Sequence, residues 1–146
     1  MENSYSVWQR NELKQHLIKT RIDLSTGGFG FLPRCAICNK ELKNGCDMHE
    51  ALITRGDIRG QEHLLPFIMV EENCVLVCPG GSGSKCHSTA DTKEGQLVVI
   101  RHLLLHIPGK DILLFLSAIN TEMKGTQAKA ATSLVQSILG KENNDG

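Results

Sequence analysis

Four cysteines have the type and spacing of a closed metal centre. Cys35-Ala-Ile-Cys38, followed by the turn formers Asn44-Gly45, fits a knuckle that aims two thiolates at one point. Cys78 and Cys86 supply a second pair, although the seven residues PGGSGSK lie between them where a zinc ribbon commonly has two. Glycine and serine make that insertion pliable enough for both sulfurs to reach a common centre. Four thiolates complete a tetrahedral zinc site and leave no open position, so the expected Zn2+ is structural. Cys46 and Cys74 have no partner at ligand spacing, and both read as buried apolar thiols.

The elements that must position these groups follow from periodicity. Residues 5–20, YSVWQRNELKQHLIKT, place Val7, Leu13, Leu17 and Ile18 near one face of a short amphipathic helix. His16 on that helix has no ligand-type neighbour and reads as surface. The glycines and proline of LSTGGFGFLPR make a connector. CDMHEALIT (46–54) and NCVLVC (73–78) read as two strands. The long, mixed segment RGDIRGQEHLLPFIMVEE joins them, broken by Pro66; its Arg-Gly-Asp tripeptide is taken as chance. STADTKEGQLVVIRHLLLHI then reads as one helix ending before Pro108-Gly109. Residues 111–123 and 126–139 give two more, the last with Ala131, Leu134, Val135, Ile138 and Leu139 on its apolar face. KENNDG should fray. Strand, excursion, strand and a helix opening at His87 outline a ββα-metal finger.

Cys35-x-x-Cys38, Met48-His49-Glu50, Glu72-Asn73-Cys74-Val75-Leu76-Val77-Cys78 and Lys85-Cys86-His87 together resemble the HNH nucleases, a branch of the His-Me finger group. The likeness is nearest to the short, zinc-stapled proteins of bacteriophage and bacterial genomes, and it covers roughly residues 35 to 95. It implies an α+β fold: a zinc-stapled ββα-metal (HNH) finger over 35–95, flanked by an N-terminal helix and connector (1–34), two to three C-terminal helices (96–140) and a flexible tail (141–146), all in one domain. The implied activity is metal-dependent hydrolysis of DNA phosphodiester bonds, as nicking or double-strand cutting.

Such hydrolysis needs a nucleophilic water, a cation against developing negative charge, and a base. His87 opens a helix and Asp91 lies four residues on, so the pair can grip one divalent ion from one helix face. Many HNH enzymes carry a second histidine where this chain has Asp91, and the exchange favours a harder ion, Mg2+ or Mn2+. The bland reading of Asp91 is a solvated residue stabilised by the helix N-terminus. The resemblance makes His49 either a metal ligand beside His87, with Glu50 as the base, or the base itself. Strand alternation puts Asp47 and His49 on one face and Glu50 on the other, making Asp47 an orienting partner for His49. Asn73 either ligates the ion or pins the loop that positions the base. Arg55, Arg59, Lys85, Lys93 and Arg101 are the candidate phosphate contacts.

The totals limit the partners. Sixteen basic and sixteen acidic residues give a formal net charge of zero, which removes the strongly basic footprint usual for nucleic-acid binding. DNA affinity is therefore expected to be modest and steeply salt-dependent. No run approaches the roughly 20 apolar residues of a membrane span, and no export signal precedes the cysteines. The expected setting is the reducing cytoplasm of a bacterium or phage-infected host. Two alternatives are a catalytically inactive zinc-stabilised nucleic-acid-binding module, and a structural or adaptor protein whose LVVIRHLLLHI and DILLFL segments dock a partner in a phage or defence assembly.

Overall fold

The computed structural model describes residues 2–22 and 32–144, with side chains for 9–22, 32–81 and 83–141. Helix α1 (Glu2–Thr20), strand β1 (Asp47–Glu50), helix α2 (Leu65–Ile68), strand β2 (Cys74–Val77) and helices α3 (Cys86–Ala90), α4 (Lys93–His106), α5 (Gly109–Glu122) and α6 (Gln127–Asn144) follow in order. The fold is α+β, with one small antiparallel sheet among the described residues.

Strand β1 pairs with β2 in the register Asp47 to Val77, Met48 to Leu76, His49 to Val75 and Glu50 to Cys74. All four β2 residues are buried, as a continuous Cys-Val-Leu-Val run requires when both of its faces are covered. Helix α1 lies on one side, inserting Leu17, and α4 lies against β2 with Val99, Ile100 and Leu103 buried. α1 is also tied down by polar hooks: Arg10 donates to the Met48 carbonyl at 3.0 Å, and Arg21 to the carbonyls of Cys74 at 3.0 Å and Glu71 at 2.7 Å. Leu13 and Ile18 flank Leu17, whereas the Val7 side chain and most of the LSTGGFGFLPR connector lie outside the described residues. The α5–α6 hairpin buries Ile112, Leu116 and Ile119 against Ala128, Ala131, Val135 and Ile138.

Several expected boundaries move. The first strand stops at Glu50 and does not continue to Thr54. The backbone N–H groups of Leu52 and Ile53 are captured by the Asn73 side chain at 3.1 and 2.9 Å, which bends the chain away from the sheet. Pro66 does not break the excursion; it sits in the first turn of α2, where its missing N–H costs nothing. The helix expected from residue 88 to 107 is two helices, because Thr92 is extended and its hydroxyl accepts the Gly95 N–H, an N-cap that restarts the helix. At this elbow a side chain on Gly95 has no room, since its Cβ would lie 1.8 Å from the Thr89 carbonyl oxygen. Helix α6 runs as far as Asn144, and the last two residues of KENNDG lie outside the described residues.

Candidate metal and catalytic centre

The sulfur centre assembles from three separated segments. After Cys35 the chain turns sharply: Asn39 N–H donates to the Cys35 carbonyl at 3.0 Å, Ile37 N–H to the Cys35 sulfur at 3.4 Å, and Asn39 takes a left-handed φ of 64° that asparagine tolerates better than most residues. Ala36 N–H bonds the Leu76 carbonyl at 2.9 Å, which docks the knuckle onto β2 just before Cys78. The glycine-serine loop then returns the chain, with Gly83 at φ 81°, to Cys86 at the start of α3.

The result is that the sulfurs of Cys35, Cys38, Cys78 and Cys86 all lie within 4.8 Å of one another. Cys38 and Cys78 are 3.5 Å apart. Tetrahedral zinc, with bonds of about 2.3 Å, sets its sulfurs about 3.8 Å apart, so the donor set and its spacing fit zinc. Burial raises Cys78 to about 12 and also raises Cys86, with the neighbouring Cys38 and Cys35 sulfurs adding to both. At Cys38 burial opposes ionisation, but hydrogen bonding from the Lys40 backbone and the other thiols brings it down to about 7. Cys46 and Cys74 are buried away from this group. Burial lifts Cys74 to about 12, which makes it an inert thiol.

Beside the sulfurs, the fold brings His49 on β1 and His87 on α3 together. Their rings meet edge to face with centroids 5.6 Å apart. Each imidazole faces a carboxylate from the other's element. Asp47 on β1 lies 3.3 Å from Nδ1 of His87, and Asp91, at the end of α3, lies 3.9 Å from Nδ1 of His49. Asp47 therefore orients His87, not His49 as strand alternation alone suggested. The same Asp47 oxygen accepts the Gly80 N–H at 2.8 Å; that bond leads in holding its pKa below the ordinary carboxylate range, with His87 helping. His49 is 7% exposed, and burial lowers its pKa, leaving a neutral ring at neutral pH.

Asn73 is wholly buried and fully used. Its Oδ1 accepts from Leu52 and Ile53, and its Nδ2 donates to the carbonyls of Ile53 at 2.8 Å and Ile68 at 3.0 Å. Of the two roles the resemblance offered, this geometry is the loop pin. Glu50 goes to the opposite strand face, where Oε1 sits 3.7 Å from Nε of Arg55. Arg59, Lys85, Lys93 and Arg101 are exposed and make no ion pair with the described residues. Among the described residues, the four cysteines are the one group of three or more ligand types gathered within 4.8 Å. Asp91 has 67% of its side chain exposed. No helix among the described residues is long and apolar enough to cross a membrane.

Compared with protein families, curated proteins and solved structures, the chain gives no match.

Proposed function

We propose that the chain is a metal-dependent endonuclease of the HNH type that hydrolyses DNA phosphodiester bonds. The observation that carries the reading is the His49–His87 pair, with ring centroids 5.6 Å apart and a carboxylate facing each ring, set beside a closed thiolate centre. A buried, neutral His49 is able to accept a proton from an attacking water. Asp91 lies 3.9 Å from Nδ1 of His49, beyond hydrogen-bond reach, so its charge stabilises the imidazolium once it forms while its carboxylate stays available to an ion. Asp47 fixes the His87 ring through Nδ1, which leaves the His87 Nε2 lone pair outward as a ligand atom. His87 and Asp91 would hold Mg2+ or Mn2+, a hard ion suited to a carboxylate. Such an ion, when bound, neutralises charge that develops on the phosphate. Glu50, engaged by Arg55, supports the fold of β1 and not the proton transfer.

The test is plasmid cleavage with added Mg2+, Mn2+ or Ni2+, comparing the parent chain with His49→Ala and His87→Ala. Both variants should lose at least about 100-fold in rate while keeping one zinc per chain; undiminished cleavage in both ends the proposal. A second reading, a zinc-stabilised DNA-binding module without catalysis, is favoured by the absence of a tight three-ligand group around the histidines among the described residues. It predicts DNA binding with no metal-stimulated cutting. The adaptor reading draws on the exposure of Leu105 and Leu114, but most of the same helices' apolar residues are buried in the core or packed against it.

A further inference from the structure

We infer that His102 and His106 form a second transition-metal site, separate from both the sulfur centre and the His49–His87 pair. The two residues stand four apart on α4, the spacing that brings side chains of one helix face together one turn apart. Their ring centroids are 5.2 Å apart and the rings are tilted by 50°. An imidazole nitrogen bound at about 2.0–2.1 Å places its ring centre about 3.2 Å from the ion, so two arms at a tetrahedral angle set the centres about 5.2 Å apart. The observed separation matches that tetrahedral value; at the right-angled cis positions of a Cu2+ or Ni2+ site the centres would stand about 4.5 Å apart, so the rings close by a further ~0.7 Å to hold those ions.

Three further features bear on the ligand. Both rings are partly buried, which restricts their rotation. The His102 ring is kept neutral by its burial and its surroundings, and the neutral imidazole is the form that binds metal. Val98 and Leu105, both exposed, lie on the same side of α4 and give the pair an apolar border. Against these, the Arg21 guanidinium is close enough to act on His102, a positive charge that penalises any cation. That penalty selects ions whose bond to imidazole is strongest. The order Cu2+ above Ni2+ and Zn2+, with Mg2+ and Ca2+ excluded, follows from nitrogen donors alone. No third histidine, cysteine or carboxylate among the described residues joins the pair, and water or an exogenous donor would complete the coordination.

The experiment uses the full chain loaded with one zinc, and Ni2+ as the probe because copper would attack the thiolates. Imidazole signals of histidine-labelled protein are followed by NMR during the titration. The His102 and His106 signals should move or broaden together, saturating near one equivalent, and should do so equally in a His49→Ala/His87→Ala chain. His106→Gln should weaken that binding by about tenfold or more, because one arm of the chelate is lost. His102→Gln should do the same, and either variant keeps the test valid if the other fails to fold. Signals of the pair that stay fixed through a tenfold excess of Ni2+, or a His106→Gln chain that binds as tightly as the parent, would overturn the inference. Loss of the response in the His49→Ala/His87→Ala chain alone would overturn it too, by assigning the metal to the other site.

Discussion

Oδ2 of Asp47 lies 3.3 Å from Nδ1 of His87 while also accepting the Gly80 N–H at 2.8 Å. One carboxylate oxygen thus ties the first strand, the glycine-serine loop and the first turn of α3 together. Replacing Asp47 with Asn keeps an acceptor for Gly80 but presents either an amide or a neutral oxygen to His87, so the ring loses its preferred tautomer. Asp47→Asn is expected to slow cleavage about 10- to 100-fold with zinc content unchanged. Full cleavage at full zinc would show that His87 needs no such partner.

Zinc removal should unfold the finger. The chain reaches the sulfur centre from three segments, and without an ion they are joined there by single hydrogen bonds, Ala36 N–H to the Leu76 carbonyl and Gly80 N–H to Asp47, and by weak thiol contacts. Because Cys78 and Cys86 are raised above the ordinary thiol range while Cys38 is near 7, binding must expel protons from most of the sulfurs. Apparent zinc affinity should therefore climb as pH rises from about 6 to about 8. Competition with a chromophoric chelator across that range measures it; a flat profile would contradict thiolate ligation. Cys38→Ser and Cys86→Ser should each lower the melting temperature, and chelator should lower the parent's to a similar extent.

Asn73→Ala removes the partner of the Leu52 and Ile53 N–H groups and of the Ile53 carbonyl, and leaves the Ile68 carbonyl only the Cys74 thiol, 3.8 Å away. The expected loss is about 3 kcal/mol or more in urea unfolding, since each buried orphan costs about 1–3 kcal/mol. The outcome separates the loop pin from metal ligation. A ligand lost to solvent would cost activity and little stability, the opposite pattern.

His102 supplies a pH dependence of known sign. Burial first, then His106 and Arg21, lower it from 6.5 to about 4, so the unfolded chain takes up a proton that the folded chain refuses. Its stabilising contribution is complete above about pH 6.5 and is lost as pH falls toward 4. The whole shift would be worth about 3 kcal/mol, which partial exposure of the ring reduces to about 2. With no metal beyond the zinc, urea unfolding should steepen in its pH dependence over that interval, and His102→Gln should flatten it. An equal slope in both chains would place the effect elsewhere.

What could be read from the chain was whatever depends on residue type at short range. Cys35-x-x-Cys38 and the Cys78/Cys86 pair announced the sulfur centre, and the Val-Leu-Val run announced β2. The crossing of carboxylates was not legible: strand alternation placed Asp47 and His49 on one face, but which acid meets which ring depends on how α3 crosses the sheet. The early end of β1 was hidden because its cause, Asn73, lies more than twenty residues away and acts through a side chain. The break before α4 has a local sign in the sequence, a threonine three residues ahead of Gly95. The His102/His106 spacing is equally visible there, inside the helix's apolar pattern.

The closed elbow at Gly95 has a consequence for how this molecule can change over time. With the Thr89 carbonyl 1.8 Å from where a first side-chain carbon would stand, the hinge admits no decoration, and even alanine would have to wedge α3 and α4 apart. Since α3 carries both Cys86 and His87, that wedge would tilt a sulfur and an imidazole in a single movement. Drift at this position is thus barred by two separate jobs at once, while the exposed surface of α6 is left to vary.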